Sequence, residues 1–185
     1  LWTPAAELDG IARELTGRSI DAARVVILGA GAAAVATSRY YHRLGVKKEH
    51  LVMFDAAGMV TSDRTDLHAE QLEFGTSGPA VSLRRALEGA DVLLGLSAGN
   101  IVSPEDIAVM ADRPIIFALA NPDPEIDYHL ALEARPDAVM ATGRSNHPNQ
   151  VNNVLGFPYI FRGALDVGAR SINEEMKIAA TNALA

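Results

Sequence analysis

Five short apolar runs set the rhythm of this chain: residues 24–28 (RVVIL), 51–54 (LVMF), 91–95 (DVLLG), 114–120 (PIIFALA) and 138–141 (AVMA). Each is continuous rather than alternating and shorter than a helix needs, the pattern of a strand buried on both faces. The stretches between them carry helix signals. Thr3-Pro4 opens a predicted amphipathic helix over 4–15, with Leu8, Ile11, Ala12 and Leu15 at helical spacing and Gly17 as its stop. After the first run a helical stretch lasts to about Leu44, and Gly45 ends it. Residues 66–74 and 79–88 read as further helices, Ser103-Pro104-Glu105-Asp106 as a helix start and Asp123-Pro124 as another. Ser171 with Glu174 forms a capping-box pattern for a last helix running to about Leu184. This alternation predicts an α/β fold in which a parallel sheet of five strands is covered by helices on both faces.

The turn after the first run adds a chemical expectation. Gly29-Ala30-Gly31-Ala32-Ala33-Ala34 is G-x-G-x-x-A, flanked by a strand before and a helix after. Gly29 permits the tight turn, Gly31 lets a pyrophosphate approach the backbone, and Ala34 keeps the helix close to the sheet. Asp55 closes the second strand, where an acid accepts hydrogen bonds from an adenosine ribose. The context makes the fold a Rossmann-like doubly wound parallel sheet, with residues 1–20 as an N-terminal helix and lead-in and 21–185 as a dinucleotide-binding domain. In such a sheet ligands sit beyond the carboxyl ends of the strands. The other loops predicted there are Ser97-Ala98-Gly99-Asn100, Asn121-Pro122-Asp123-Pro124 and residues 143–153. Small residues at Ser97, Ala98 and Gly99 would let a cofactor lie close to the backbone.

The last of those loops is unusually rich in uncharged polar groups. Arg144, Ser145, Asn146, His147, Asn149, Gln150, Asn152 and Asn153 fall within ten positions, just before the apolar stretch 154–160. Amides both donate and accept, which suits a small polar ligand in a crevice; the same residues also serve as turn and cap formers. Composition narrows the partners. A net charge of −7 argues against nucleic acid, and no apolar run reaches the length of a transmembrane helix. With no cysteine, disulfides and thiolate metal sites are excluded, and a cytoplasmic location is the default expectation. The chain begins with Leu and shows no signal peptide, so it reads as a fragment, a processed chain or an excised domain. No pair of histidines has metal-ligand spacing with a carboxylate between, although His147 lies inside the polar loop. Ser97 has no visible His partner, which removes a hydrolase reading.

The stretches GAGAAAVA, GADVLLGLSAG, PIIFALANPDPEI, ATGRSNHPNQVNNVLGFPYIFRGALDVGA and INEEMKIAA resemble the NAD(P)-binding domain of bacterial malic enzymes, from about Asp21 to the end of the chain. That family oxidises malate to pyruvate and carbon dioxide with NAD or NADP and a divalent metal. The resemblance implies that Ala30, Gly31, Ala32 and Ala33 sit on the pyrophosphate. It implies that Asn121 touches the nicotinamide ribose or the substrate, and that Asn153, with Asn152 beside it, holds a malate carboxylate or hydroxyl. It also implies a homo-oligomer for the complete enzyme. The chain departs from the family pattern at Ala34, at Ser97-Ala98-Gly99-Asn100, and at Asn146 and His147. The family's acid–base Tyr and Lys and its acidic Mg or Mn ligands lie upstream of this region. Here the corresponding stretch, LWTPAAELDGIARELTGRS, lacks the acidic motif, so no catalytic or metal residue is expected in this chain.

Two classes of function follow. One is the nicotinamide half of a malic-enzyme-type oxidoreductase; the other is a stand-alone NAD(H)-binding or regulatory module without turnover. A methyltransferase with a similar glycine loop finds no support outside that loop. NAD is the expected cofactor, because Asp55 is followed by Ala56, Ala57 and Gly58; NADP would require Arg64 to fold back toward it.

Overall fold

The computed structural model describes residues 19–184. The expected helix over 4–15 lies outside that range. The apolar runs become β1 (Val25–Leu28), β2 (Leu51–Asp55), β4 (Val92–Gly95), β5 (Ile115–Ala118) and β6 (Val139–Thr142), all paired in parallel. A two-residue strand, β3 (Gly58–Met59), folds back antiparallel on β2 and makes the sheet six-stranded, in the order β3-β2-β1-β4-β5-β6. The five-strand expectation therefore lacks one short edge strand, which has no apolar run to announce it.

Alternation of side chains sorts the strands into two layers. Val25, Ile27, Leu51, Met53, Leu94 and Phe117 face helix α1 (Ala32–Leu44), packing on its Ala34, Val35 and Tyr41. Val26, Leu28, Phe54, Leu93 and Ile116 face α3 (Leu83–Leu87), α4 (Pro104–Ile107) and α5 (Tyr128–Ala134), after a short α2 (Ala69–Leu72). Two further helices, α6 (Tyr159–Asp166) and α7 (Glu174–Leu184), close the chain. The Tyr40 hydroxyl lies 2.9 Å from the Thr181 hydroxyl, and Arg43 pairs with Glu174, which holds α7 beside α1.

Four predicted helix starts differ from the structure; the helix expected over 66–74 is the short α2, which begins at Ala69. The helix expected over 79–88 begins at Leu83, where the Ser82 hydroxyl accepts the Arg85 N–H. No helix opens at Asp123-Pro124; α5 starts at Tyr128, capped by Asp127, whose carboxylate accepts the His129 and Leu130 N–H groups. The cap of α7 is Asn173 rather than Ser171, since the Asn173 amide oxygen accepts the Met176 N–H. The Ser103 start is as expected, with a reciprocal capping box to Asp106.

Register places the loops. Leu28 lies level with Phe54 and Gly95, Gly95 with Ala118, and Ala118 with Thr142. The loops after all five parallel strands therefore leave the sheet from one edge. The chain turns outward from β1 to β2, then crosses back to β4 on the other side of β1. The crevice of a doubly wound sheet opens at such a switch point.

Candidate dinucleotide and substrate site

The two glycines of the first turn differ in what constrains them. Gly29 has φ +115°, and its N–H donates to the Phe54 carbonyl at 2.8 Å. A Cβ there would lie 2.5 Å from the Leu96 carbonyl oxygen, so both conformation and space require glycine. Gly31 is under neither constraint. Its φ of −79° is ordinary, and a Cβ built on it meets nothing within 4 Å. It is the N-cap of α1, yet no side chain caps the helix and no acid stands in its first turn. The positive end of the helix dipole is thus left without a side-chain cap or an acid, with space above Gly31 and Ala32 exposed beside it, an arrangement that suits an anion. Ala30 is buried, with its carbonyl accepting from the Gln71 amide at 3.0 Å; Ala32 is exposed and Ala33 half-buried. Ala34 is fully buried against the sheet.

Asp55 lies at the end of β2 and is already engaged. Arg64 folds back onto it, with Nη1 2.9 Å from Oδ1 and Nη2 2.8 Å from Oδ2, and the Ala57 N–H also donates to Oδ1 at 2.9 Å. Nη2 reaches Asp66 as well, at 2.6 Å. The guanidinium holds both carboxyls below the usual carboxylate range, and the two acids raise the arginine. One cation between two anions leaves the cluster with a formal charge of −1.

The loops after β4 and β5 interlock through a residue that sequence reasoning missed. Glu125 is fully buried, the one charged residue so placed among the described residues. Its Oε1 accepts the Ser97 N–H at 2.9 Å, and its Oε2 accepts the Ala120 N–H at 3.0 Å. Its carboxyl lies against the Gly95 backbone, where a Cβ would stand 2.3 Å from the carboxyl carbon. Burial pushes the carboxyl above its usual range, opposed by those amide bonds. The available signal was Gly95 itself, a glycine ending an apolar strand, which marks close approach. Ser97 and Ala98 are exposed beyond this lock, and Asn121 is exposed at the end of β5, its amide donating to the Leu119 carbonyl at 3.2 Å. Gly143, after β6, is packed beside the Asn121 amide.

The polar loop after β6 spends much of its hydrogen-bonding capacity on itself. The Asn149 amide donates to the Met140 carbonyl at 3.1 Å, the Asn152 amide to the Gly143 carbonyl at 3.4 Å, and the Arg144 Nε to the Asn146 amide oxygen at 3.1 Å. His147 stacks on Tyr128 with ring centroids 4.5 Å apart, tying the loop to α5. The Val151 N–H donates to the Thr142 carbonyl at 2.8 Å, which lays the segment before Asn152 and Asn153 along the carboxyl end of β6. Both of these asparagines are exposed. Asn153 lines an apolar groove of about 450 Å³ with Phe157, Ile160, Phe161, Ile172 and Lys177. None of the other predicted site residues lines that groove. Among the described residues no group of three or more His, Cys, Asp or Glu is placed to hold a metal ion.

The sequence and the fold both have known relatives. The family model described as "Malic enzyme, NAD binding domain" matches residues 3–185. An NADP-dependent malic enzyme of Halomonas elongata is 53% identical over 173 residues, covering 94% of this chain and 41% of the relative. An NAD-dependent malic enzyme of Rhizobium meliloti is 50% identical over 182 residues, covering 98% of this chain and 23% of the relative. The crystal structure of the NAD-dependent malic enzyme from Thermotoga maritima superposes with a TM-score of 0.86 at 43% identity, covering 97% of this chain and 48% of that one. The chain spans less than half the length of each of these relatives. Matched along almost all its length by the model of one domain, and half identical to two enzymes that contain it, the chain belongs to the malic enzyme family through its NAD binding domain.

Proposed function

We propose that this chain binds NAD or NADP across the carboxyl edge of its sheet, as the dinucleotide half (residues 21–185, with 1–20 as lead-in) of a cytoplasmic enzyme that oxidises and decarboxylates malate to pyruvate. The observation that carries this reading is the N-terminus of α1: uncapped, free of acids and open above Gly31. The pyrophosphate is assigned to Gly29, Ala30, Gly31, Ala32 and Ala33, and the adenosine ribose to Asp55. The nicotinamide ribose is assigned to Ser97, Ala98 and Asn121. Bound there, the dinucleotide supplies the hydride acceptor. Asn121, Asn152 and Asn153 are assigned to malate. Their amides hydrogen-bond a carboxylate or hydroxyl without adding charge to an acidic protein. The described residues do not fit Mg or Mn, so the metal and the acid–base groups are assigned to the rest of a malic enzyme polypeptide.

NAD is the proposed cofactor. A 2′-phosphate needs a free cation, whereas Arg64 is neutralised on both sides by Asp55 and Asp66. Self-association of the complete enzyme is supported by exposed apolar residues in and beside α6: Phe157, Tyr159, Phe161, Leu165 and Val167 are each at least half exposed.

Calorimetry and a malate assay test the proposal together. The chain is expected to bind NAD⁺ and to show no oxidation of malate with Mn²⁺ and either cofactor. Turnover on the order of 10 s⁻¹ would mean that the chain holds its own acid–base machinery. Absence of any dinucleotide binding would overturn the cofactor assignment.

A further inference from the structure

Glu125 has no part in the assignments above, yet its surroundings are specific. Two backbone N–H groups from different loops, those of Ser97 and Ala120, converge on its two carboxylate oxygens. The same segment also supports the Ser97 loop through its main chain. The Glu125 carbonyl accepts the Ile101 and Val102 N–H groups at 3.0 Å each, and the Pro124 carbonyl accepts the Asn100 N–H at 2.9 Å. Asn100 is held with φ 58°, and a Cβ on Gly99 would lie 2.7 Å from the Asp123 carbonyl oxygen. The loops after β4 and β5 are therefore fitted to each other with no room between them. The glycine turn after β1 meets this assembly at its near end, where Gly29 packs against Leu96 and the Ser97 Cβ.

Only a carboxylate satisfies this geometry. A glutamine would offer one oxygen and one NH₂, setting N–H against N–H at the second loop. An apolar residue would leave the buried Ala120 amide without a partner, at a cost of about 1–3 kcal/mol, and would release the Ser97 amide. Burying a carboxylate is itself unfavourable unless its hydrogen bonds are made, so a merely space-filling role would have been met by an apolar side chain. What the carboxylate adds is a fixed relation between two loops at the carboxyl edge of the sheet.

We propose that Glu125 is a positioning residue: it sets the Ser97 and Asn121 loops in the shape that receives the nicotinamide half of the dinucleotide, while the glycine turn receives the pyrophosphate without it. This rests on the dinucleotide reading above. It names a division of labour within that site. The adenosine and pyrophosphate half is held by β1, α1 and Asp55, and the nicotinamide half by two loops whose geometry depends on one buried side chain.

The test compares two ligands on one variant. ADP carries the adenosine and pyrophosphate but neither the second ribose nor nicotinamide. By calorimetry, Glu125→Gln is expected to weaken NAD⁺ about tenfold, the worth of one spoiled buried hydrogen bond, and to leave ADP within about twofold. Equal losses for both ligands would reduce Glu125 to a general structural role, and unchanged NAD⁺ affinity would also overturn the proposal. If the unsubstituted chain binds ADP but not NAD⁺, positioning fails while the pyrophosphate site stands; if it binds neither, the dinucleotide reading itself fails and takes the proposal with it. Should the variant not fold, amide NMR of the unsubstituted chain decides. Ser97, Asn100 and Ala120 should shift with NAD⁺ and not with ADP, whereas Gly29 and Gly31 should shift with both. Equal shifts at Ser97 and Ala120 with the two ligands, or none with NAD⁺, would contradict the division.

Discussion

At the scale of single residues, the clearest contrast is between Gly31, which nothing among the described residues requires to be glycine, and Gly29, which both its φ and the Leu96 carbonyl require. The glycine turn and Asp55 were legible in the sequence because their constraints are local: a strand, a turn and a helix start within a few positions. Glu125 was not. Its partners, Ser97 and Ala120, are joined to it only by the fold, and an acid after two prolines looks like the first turn of a helix. Arg64 was partly legible. Its distance in sequence left open whether it would reach Asp55, and the β3 hairpin brings it there. The cluster leads to a prediction on cofactor choice. Asp55→Asn takes the cluster from a formal charge of −1 to 0 and frees the Arg64 Nη1 for a 2′-phosphate, while Asp66 keeps Nε and Nη2. The affinity ratio of NADP to NAD should rise about tenfold, measured by calorimetry at fixed salt. An unchanged ratio would mean that Arg64 does not reach the ribose.

At the scale of elements, the strands were readable because a strand buried on both faces has to be an apolar run, and all five parallel strands are fully or largely buried. Helix starts were less readable. A cap competes with tertiary demands, as where the segment after β5 stays irregular so that Glu125 can turn under β4. One tertiary lock is confined to the opposite edge. Arg135, ending α5, donates to the carbonyls of Ile107, Met110 and Ala111 at 3.2, 3.0 and 2.7 Å, and pairs with Asp137 at 2.8 Å. Asp137 in turn accepts the Arg113 N–H at 2.7 Å, and the guanidinium beside it holds its carboxyl well below the usual range. This network ties α4 to α5 just before β5, at the amino edge of the sheet and away from the crevice. Arg135→Leu should cost about 2–3 kcal/mol in urea denaturation, because the Met110 and Ala111 carbonyls lose their donor while Ile107 keeps the Met110 N–H, and should leave NAD⁺ affinity unchanged. A loss below about 0.5 kcal/mol would show those carbonyls to be satisfied by water.

At the scale of the whole molecule, five strand ends brought level by register gather their loops on one edge, with the glycine turn at the switch point between β1 and β4. The polar loop after β6 extends that edge, although much of its amide content stabilises the loop itself, so the sequence overstated how many of its residues are available to a ligand. The exposed apolar residues around α6 border the groove that Asn153 lines, and their exposure predicts that Leu165→Lys lowers any self-association seen by sedimentation, whereas unchanged association would place the interface elsewhere. The central claim is that the uncapped N-terminus of α1 is kept open for a phosphate. Gly31→Asp tests it most directly, since aspartate is a preferred N-cap whose charge suits the helix dipole, and its Cβ meets nothing here. The account predicts opposite responses: a small gain of about 0.5 kcal/mol, or about 1–2 °C in Tm, together with loss of NAD⁺ and ADP binding by calorimetry. Retained affinity in a stabilised variant would show that the pyrophosphate does not bind there, and the account would fail.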